Sequence, residues 1–388
     1  MRHDLHPLPR CTQLIARILR PDCSGAEAAV MLGELARTGG LERLLAFRPH
    51  HRIGPALAAR IREHNIGRDE PELRALIGLL DRIAAACELR SQLLRAQLEE
   101  AVALFAERGI RVCLIKGAAS LAGDAPEGYL PAGIRPMEDL DIVVGPDDGD
   151  AAFELIAERG WLCSSGAQPV QFSLDSPALV DVRAWAPRTA ALGFLELDDF
   201  FARAAATSVA GREVRVLRPQ KALQLRLSHN VIRQHLFVDF PLLDLYEMAG
   251  IVAACSGRID WAGVRSVGLM NDVARIFYAI LLRLRDEFGA PVPDEAIPLA
   301  EVRAAEHMWR TLGEFEAAPA WLYGAASRFV LMSTVKGRFL DKLDRMCTVL
   351  FSDPLRLTGK ASPAGRICLP ARMLAGHLAV CCWRLLRG

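Results

Sequence analysis

The chain has 388 residues, 52% hydrophobic and 24% charged, with 47 Lys and Arg against 46 Asp and Glu. That composition excludes a disordered chain, and a formal net charge of +1 excludes a global basic field of the kind that advertises nucleic-acid binding. The length exceeds what one compact core usually holds, so two or three subdomains are expected.

The start, Met1-Arg2-His3-Asp4, lacks an apolar signal-peptide stretch, and the ten cysteines include no Cys-x-x-Cys pair. Reduced thiols in the cytoplasm are the simplest expectation. Residues 26–108 read as helical: Leu94, Leu98, Val102 and Phe105 recur at helical spacing, and Gly109 suits a helix end. The period then changes. Ile110, Val112 and Leu114 alternate with Arg111, Cys113 and Ile115, which predicts a strand ending at Lys116-Gly117. Ala118–Ala122 suits a short helix. Residues 123–136 hold Gly123, Gly128, Gly133, Pro126, Pro131 and Pro136 and read as a loop long enough to carry function.

Asp139–Val144 is the next predicted strand. Asp148 or Asp150 is placed to cap a helix that runs through Glu158 and ends at Gly160. Gln168–Leu174 and Ala178–Trp185 read as strands joined by Asp175-Ser176-Pro177, and Arg212–Leu217 adds another. From Pro219 onward the pattern is helical, with Asp239 before Phe240-Pro241 and Asp260 marking helix starts. The apolar run Leu369–Leu386 is interrupted by Arg372, His377 and Arg384. A packed or amphipathic helix is expected there, and membrane contact is not favoured.

The strongest chemical signal is Asp139 and Asp141 at the head of an apolar strand. Side chains two apart on a strand share a face. Two carboxylates there can hold Mg²⁺, and two such ions about 4 Å apart can clamp the attacking and leaving oxygens of a phosphoryl transfer. Solvated strand-end acids are the bland alternative. A ligand pair also repels itself, so removing the Asp141 charge is expected to leave thermal stability equal or slightly higher.

Asp181 lies between Val180 and Val182, where a buried acid is costly unless paired or metal-bound; alternation can equally turn it to solvent. Gly117, between strand and helix, lets a phosphate approach backbone N–H groups, or is an ordinary turn glycine. Lys116 and Ser120 flank it as further nucleotide-binding candidates. Arg135 suits triphosphate oxygens, with Glu138 or Asp124 as its alternative partners. His229 and His235, six apart, are too far out of phase to share a metal from one helix. His229, Arg233 and Asp244 form a polar set among apolar residues and are candidates for the second wall of a cleft, with Asp244 pairing to Arg233 or His229.

At these residues the chain resembles the uncharacterised bacterial nucleotidyltransferase family of the DNA polymerase β superfamily. The match runs through Leu114-Ile115-Lys116-Gly117-Ala118-Ala119, Tyr129, and Arg135 to Val144, and extends over roughly residues 85–300. The block from His229 to Asp244 and the helix start Asp260-Trp261 fit as well. Asp181-Val182-Arg183-Ala184-Trp185 departs from the family's pattern, with Arg183 in place of histidine and the tryptophan displaced by one. The resemblance implies an α+β fold with a small mixed β-sheet core. With the pattern along the chain, it gives an N-terminal helical region (1–108), a nucleotidyltransferase-like core (109–218) and a C-terminal helical region (219–388).

The activity implied is transfer of a nucleoside monophosphate from an NTP such as ATP, with Mg²⁺. Asp139, Asp141 and Asp181 would be the metal-binding catalytic acids. The acceptor expected is an unidentified small molecule, peptide or protein, with nucleic acid less favoured. Two other readings stand beside it: a binding module that kept the fold and lost turnover, and a toxin-like enzyme that modifies RNA.

Overall fold

The computed structural model describes residues 7–39, 41, 52–67, 71–124, 127–159, 161–163, 171–173, 179–184, 195–228, 241–270, 274–298, 300–301 and 303, with backbone alone at 7–10, 72, 146, 161–184, 197, 268–270 and 275. Four helices come first: α1 (Pro7–Ile18), α2 (Gly25–Thr38), α3 (Gly54–Glu63) and α4 (Pro71–Glu107). α1 precedes the span that the sequence marks as helical. It buries Cys11, Leu14, Ile15 and Ile18, a stripe at i, i+3, i+4 and i+7.

α2 opens on a capping box. Glu27 N donates to Ser24 Oγ at 3.3 Å, and Ser24 N donates to Glu27 Oε2 at 3.0 Å. Arg60 of α3 ties down the turn after α1: Nε donates to Ile18 O at 3.3 Å, and Nη2 donates to Arg20 O at 2.8 Å and Cys23 O at 3.3 Å. α4 is 37 residues long and buries the predicted stripe Leu94, Leu98, Val102 and Phe105. Gly109 follows it at φ +68, the left-handed conformation expected of a residue after a helix end.

The strands are β1 (Val112–Leu114), β2 (Asp139–Val144), β3 (Trp161–Cys163), β4 (Gln171–Ser173), β5 (Leu179–Ala184), β6 (Ala205–Val209) and β7 (Arg212–Val216). They form one mixed sheet in the order β3-β4-β5-β2-β1-β7-β6. β1 pairs antiparallel with β2 and parallel with β7, and β2 pairs parallel with β5. The alternation read around residue 112 does not mark one wet face. Val112, Cys113, Leu114 and Ile115 are all buried, because β1 is central and α4 packs against β2, β6 and β7.

A four-residue helix, α5 (Lys116–Ala119), links β1 to the loop and begins two residues earlier than predicted. α6 (Gly149–Glu158) packs on β3 and β5. Asp148 holds its N-cap position without a side-chain capping bond. α7 (Leu197–Phe200) precedes β6.

Beyond β7 come α8 (Pro219–Ser228), α9 (Leu242–Ala254), α10 (Trp261–Met270) and α11 (Ala274–Asp286), as the helical pattern predicts. Asp260 caps α10, its Oδ1 accepting from Gly263 N at 3.1 Å. α9 packs against α8 and α11, and also against α1. Asp239, His229, Arg233, His235 and the run Leu369–Leu386 lie outside the described residues. Among the described residues no helix is long and apolar enough to cross a membrane.

Candidate active site

The acids are positioned by burial of the strand that carries them. Leu140, Ile142 and Val144 of β2 are fully buried on one face. Each such side chain contributes about 1.5–3 kcal/mol of burial, so the strand is held firmly enough to present the other face with Asp139 and Asp141. Asp139 at the strand end is partly exposed, while Asp141 is only 3% exposed.

A buried carboxylate needs a partner. Lys116 Nζ donates to Asp141 Oδ1 at 3.0 Å, with both side chains largely buried. The main chain sets this up, since Ile115 N donates to Asp141 O at 3.2 Å and carries the β1–β2 pairing to the residue before Lys116. Lys116 itself has φ +50, a left-handed conformation that costs a non-glycine residue roughly 1–2 kcal/mol. The ion pair also opposes the repulsion expected between the acids. Without Lys116, self-repulsion of the acids would make loss of the Asp141 charge harmless to stability. With Lys116 in contact, that loss also removes a charge attraction to a buried ammonium.

The second part of the site is the loop between α5 and β2. It is clasped from two sides. Ser91 Oγ of α4 donates to Ala132 O at 2.8 Å, and Arg90 Nε donates to Met137 O at 2.8 Å. On the other side Gly128, at φ +84, crosses α9 so closely that a Cβ there would lie 2.6 Å from Ile251 Cα.

The loop thereby delivers Arg135 to Gly117. A side chain at 117 would overlap Arg135 Nη1 and come within 2.6 Å of the Met137 sulfur. The space over the glycine, where sequence reasoning put a phosphate, is therefore filled by the chain's own Arg135 and Met137. Ser120 Oγ, at the end of α5, is buried with no hydrogen-bond partner among the described residues.

Arg135 does not pair with Glu138 or Asp124. Its Nε donates to Glu247 of α9, at 2.9 Å to Oε2 and 3.2 Å to Oε1. Glu247 is completely buried and takes a second bond from Arg226 Nη2 of α8. Arg226 Nη1 lies 3.8 Å from Asp244 Oδ1, and its guanidinium sits 5.9 Å from the Tyr129 ring centroid. Burial alone would lower the pKa of Arg135; Glu247, Asp244 and Asp141 outweigh it and raise it, so the guanidinium is charged throughout the working pH range. Burial pushes the Tyr129 phenol up, and it too stays protonated.

The structure thus groups Lys116, Gly117, Arg135 and Asp141, and sets Asp244 on the same wall beside Arg226 and Glu247; the partners expected for it, Arg233 and His229, lie outside the described residues. The backbone register of β2 and β5 aligns Asp141 with Asp181. Sequence reasoning passed over Glu247 and Arg226. The signal was present: Glu247 lies one turn beyond Asp244 in an apolar helix, and Arg226 interrupts Leu223–Leu227 in the same way.

No curated protein matches the chain. Among solved structures it is similar to the antibiotic-resistance factor ANT(2'')-Ia, at 17% identity and a TM-score of 0.30, over 50% of this chain and 95% of that one. A likeness that distant carries no argument about the site. The family model described as uncharacterised nucleotidyltransferase matches residues 39–289, the span that holds the acid strand, the Arg135 loop and the α8–α9 wall, and the chain belongs to that family.

Proposed function

We propose that the chain transfers a nucleoside monophosphate from an NTP to an acceptor, with Asp139, Asp141 and Asp181 holding two Mg²⁺ ions. The observation that carries this reading is the β2–β5 register, which sets Asp181 beside Asp141 on adjacent parallel strands while Asp139 shares the Asp141 face. The donor set fits a hard divalent cation, being carboxylate oxygen throughout, and the Lys116 ammonium against Asp141 is a cation already drawn to that position. Bound there, Mg²⁺ would supply charge neutralisation at the phosphates.

In the transfer, an acceptor oxygen forms a bond to the α-phosphorus as the bond to the bridging oxygen of the leaving pyrophosphate breaks. Asp181 orients the acceptor and takes its proton. Arg135 and Lys116 hold the phosphates in line, so rate acceleration comes mainly from positioning and electrostatics.

The test is to incubate the protein with each NTP and Mg²⁺ in the presence of pooled small-molecule and peptide acceptors. Nucleotidyl adducts are then sought by mass spectrometry, on the acceptors and on the protein itself. Wild type should give a monophosphate adduct and pyrophosphate, and Asp141→Asn should give neither. A mutant that labels as fast as wild type, or that gains the same thermal stabilisation from Mg²⁺-ATP, overturns the assignment.

A further inference from the structure

Glu247 stands outside the acid pair and outside the Lys116–Gly117 turn, yet it is the most deeply buried carboxylate of the wall, at 0% exposure. Burying a carboxylate between two arginines from different elements is costly unless every bond is made, and a hydrophobic replacement would commonly hold three elements together as well. Its particular geometry needs a reason. Of the Arg135 nitrogens Glu247 accepts from Nε alone, using both oxygens. Among the described residues every side-chain hydrogen bond of Arg135 leaves from Nε, so the two Nη groups keep their donors. Nη1 lies against Gly117, and the side chain keeps 12% of its surface open. The guanidinium is held at Nε, and its Nη groups make no hydrogen bond among the described residues.

We infer that Glu247 is a positioning residue: it fixes Arg135 through Nε so that the Nη fork is presented beside Lys116 and Asp141 to the polyphosphate of the nucleotide. Arg226 completes the device. Its bond to Glu247, and its approach to Asp244 and Tyr129, keep the carboxylate from rotating around to the Arg135 fork. A planar fork held at one edge is pre-organised for two-point contact with phosphate oxygens, which a lysine at the same place cannot make. The inference rests on the nucleotidyl-transfer reading for the identity of the anion. It does not rest on it for the clasp itself.

Calorimetric binding of inorganic tripolyphosphate and of Mg²⁺-ATP to the full chain tests it, with Arg135→Lys, Glu247→Gln and the double variant. Arg135→Lys keeps a cation on Glu247 and removes the fork. It should retain the melting temperature and weaken both probes about tenfold or more. Glu247→Gln should weaken them comparably with kcat changed less than KM. In the Arg135→Lys background the Glu247→Gln change should add nothing, because Glu247 acts through Arg135. A merely structural glutamate would instead give additive losses that follow stability.

If Glu247→Gln does not fold, Glu247→Asp replaces it in the same cycle. Undiminished probe binding by Arg135→Lys or by the Glu247 variant overturns the inference, as does failure of wild type to bind tripolyphosphate. Tripolyphosphate binding that follows the fork, with no nucleotidyl adduct from any NTP, would sink the proposed activity and leave the clasp standing.

Discussion

Arg60 in the N-terminal helices and Arg135 beside the acids are both nearly buried, at 10% and 12% side-chain exposure, but their donors go to different places. Arg60 places all three nitrogens on its own chain: Nε and Nη2 on the carbonyls of Ile18, Arg20 and Cys23, and Nη1 on Glu63 at 2.6 Å. Four of its five N–H groups are used, and the result is a tied-down turn between α1 and α2. Arg135 places Nε on Glu247 and keeps its fork. A buried cation with a protein acceptor at each of its three nitrogens serves the fold. One that is gripped at a single nitrogen is available to a ligand. The contrast separates two roles that burial and charge alone would merge.

The largest expected effect lies at the tied-down end. Arg60→Ala removes the Arg60 bonds to Ile18 O and Cys23 O, leaves Arg20 O with its bond from Cys23 N alone, and should cost on the order of 3–5 kcal/mol in urea unfolding, with Mg²⁺-ATP affinity of the folded fraction unchanged. An equal loss of ATP affinity would erase the contrast with Arg135.

At the open end, Asp141→Asn should lower stability by about 1–3 kcal/mol in the absence of divalent cation, because the buried ion pair with Lys116 at 3.0 Å loses its negative charge. Adding Lys116→Met should recover most of it. Thermal melts of the four proteins of this cycle check the point, and a mutant as stable as wild type would mean that repulsion among the acids outweighs the ion pair.

Gly117→Ala sharpens the comparison from another side. The added methyl overlaps Arg135 Nη1 and crowds Met137, which should cost about 1–2 kcal/mol and displace the fork, weakening tripolyphosphate binding. Wild-type affinity in this variant would show that the fork's placement does not matter.

The smallest effect belongs to the capping box of α2, far from the fork. Ser24→Ala should cost about 1 kcal/mol and leave nucleotide binding untouched. Its pH dependence has a definite sign. Hydrogen bonds from the Ser24 backbone and then its hydroxyl hold the Glu27 carboxyl below its usual range in the folded protein. That contribution is fully present above the unfolded carboxyl's pKa and is lost as pH falls through the lower folded value. The stability gap between wild type and Glu27→Gln should accordingly close on acidification, and a gap constant with pH would assign the cap to Ser24 alone.

Much of the fold was legible because it is local. The stripe Leu94, Leu98, Val102 and Phe105, the left-handed Gly109 and the strand Asp139–Val144 follow from periodicity and backbone preference, which depend on near neighbours. β3 escaped because three residues are too few to show a period. The strand β1 was legible from its alternation, but that both its faces are buried is decided by α4, not by β1 itself. At the site, the pairing of Asp139 with Asp141 on one face follows from the two-residue repeat of a strand, whereas glycine at 117 is required by the close approach of Arg135 and Met137.

What filled the space over Gly117, and which partner each charge took, came only from the tertiary structure. Lys116 meets Asp141 across 25 residues of sequence, and Arg135 meets Glu247 across 112. Amphipathic pattern tells which side of an element turns inward. It does not tell which charge from a distant element arrives there, because that depends on how helices and sheet pack once each has buried its apolar face. The sequence by itself determined the acids, the turn and the family block. The packing of α4, α8 and α9 around the loop decided that Arg135 is held at Nε, with no hydrogen bond from its fork among the described residues.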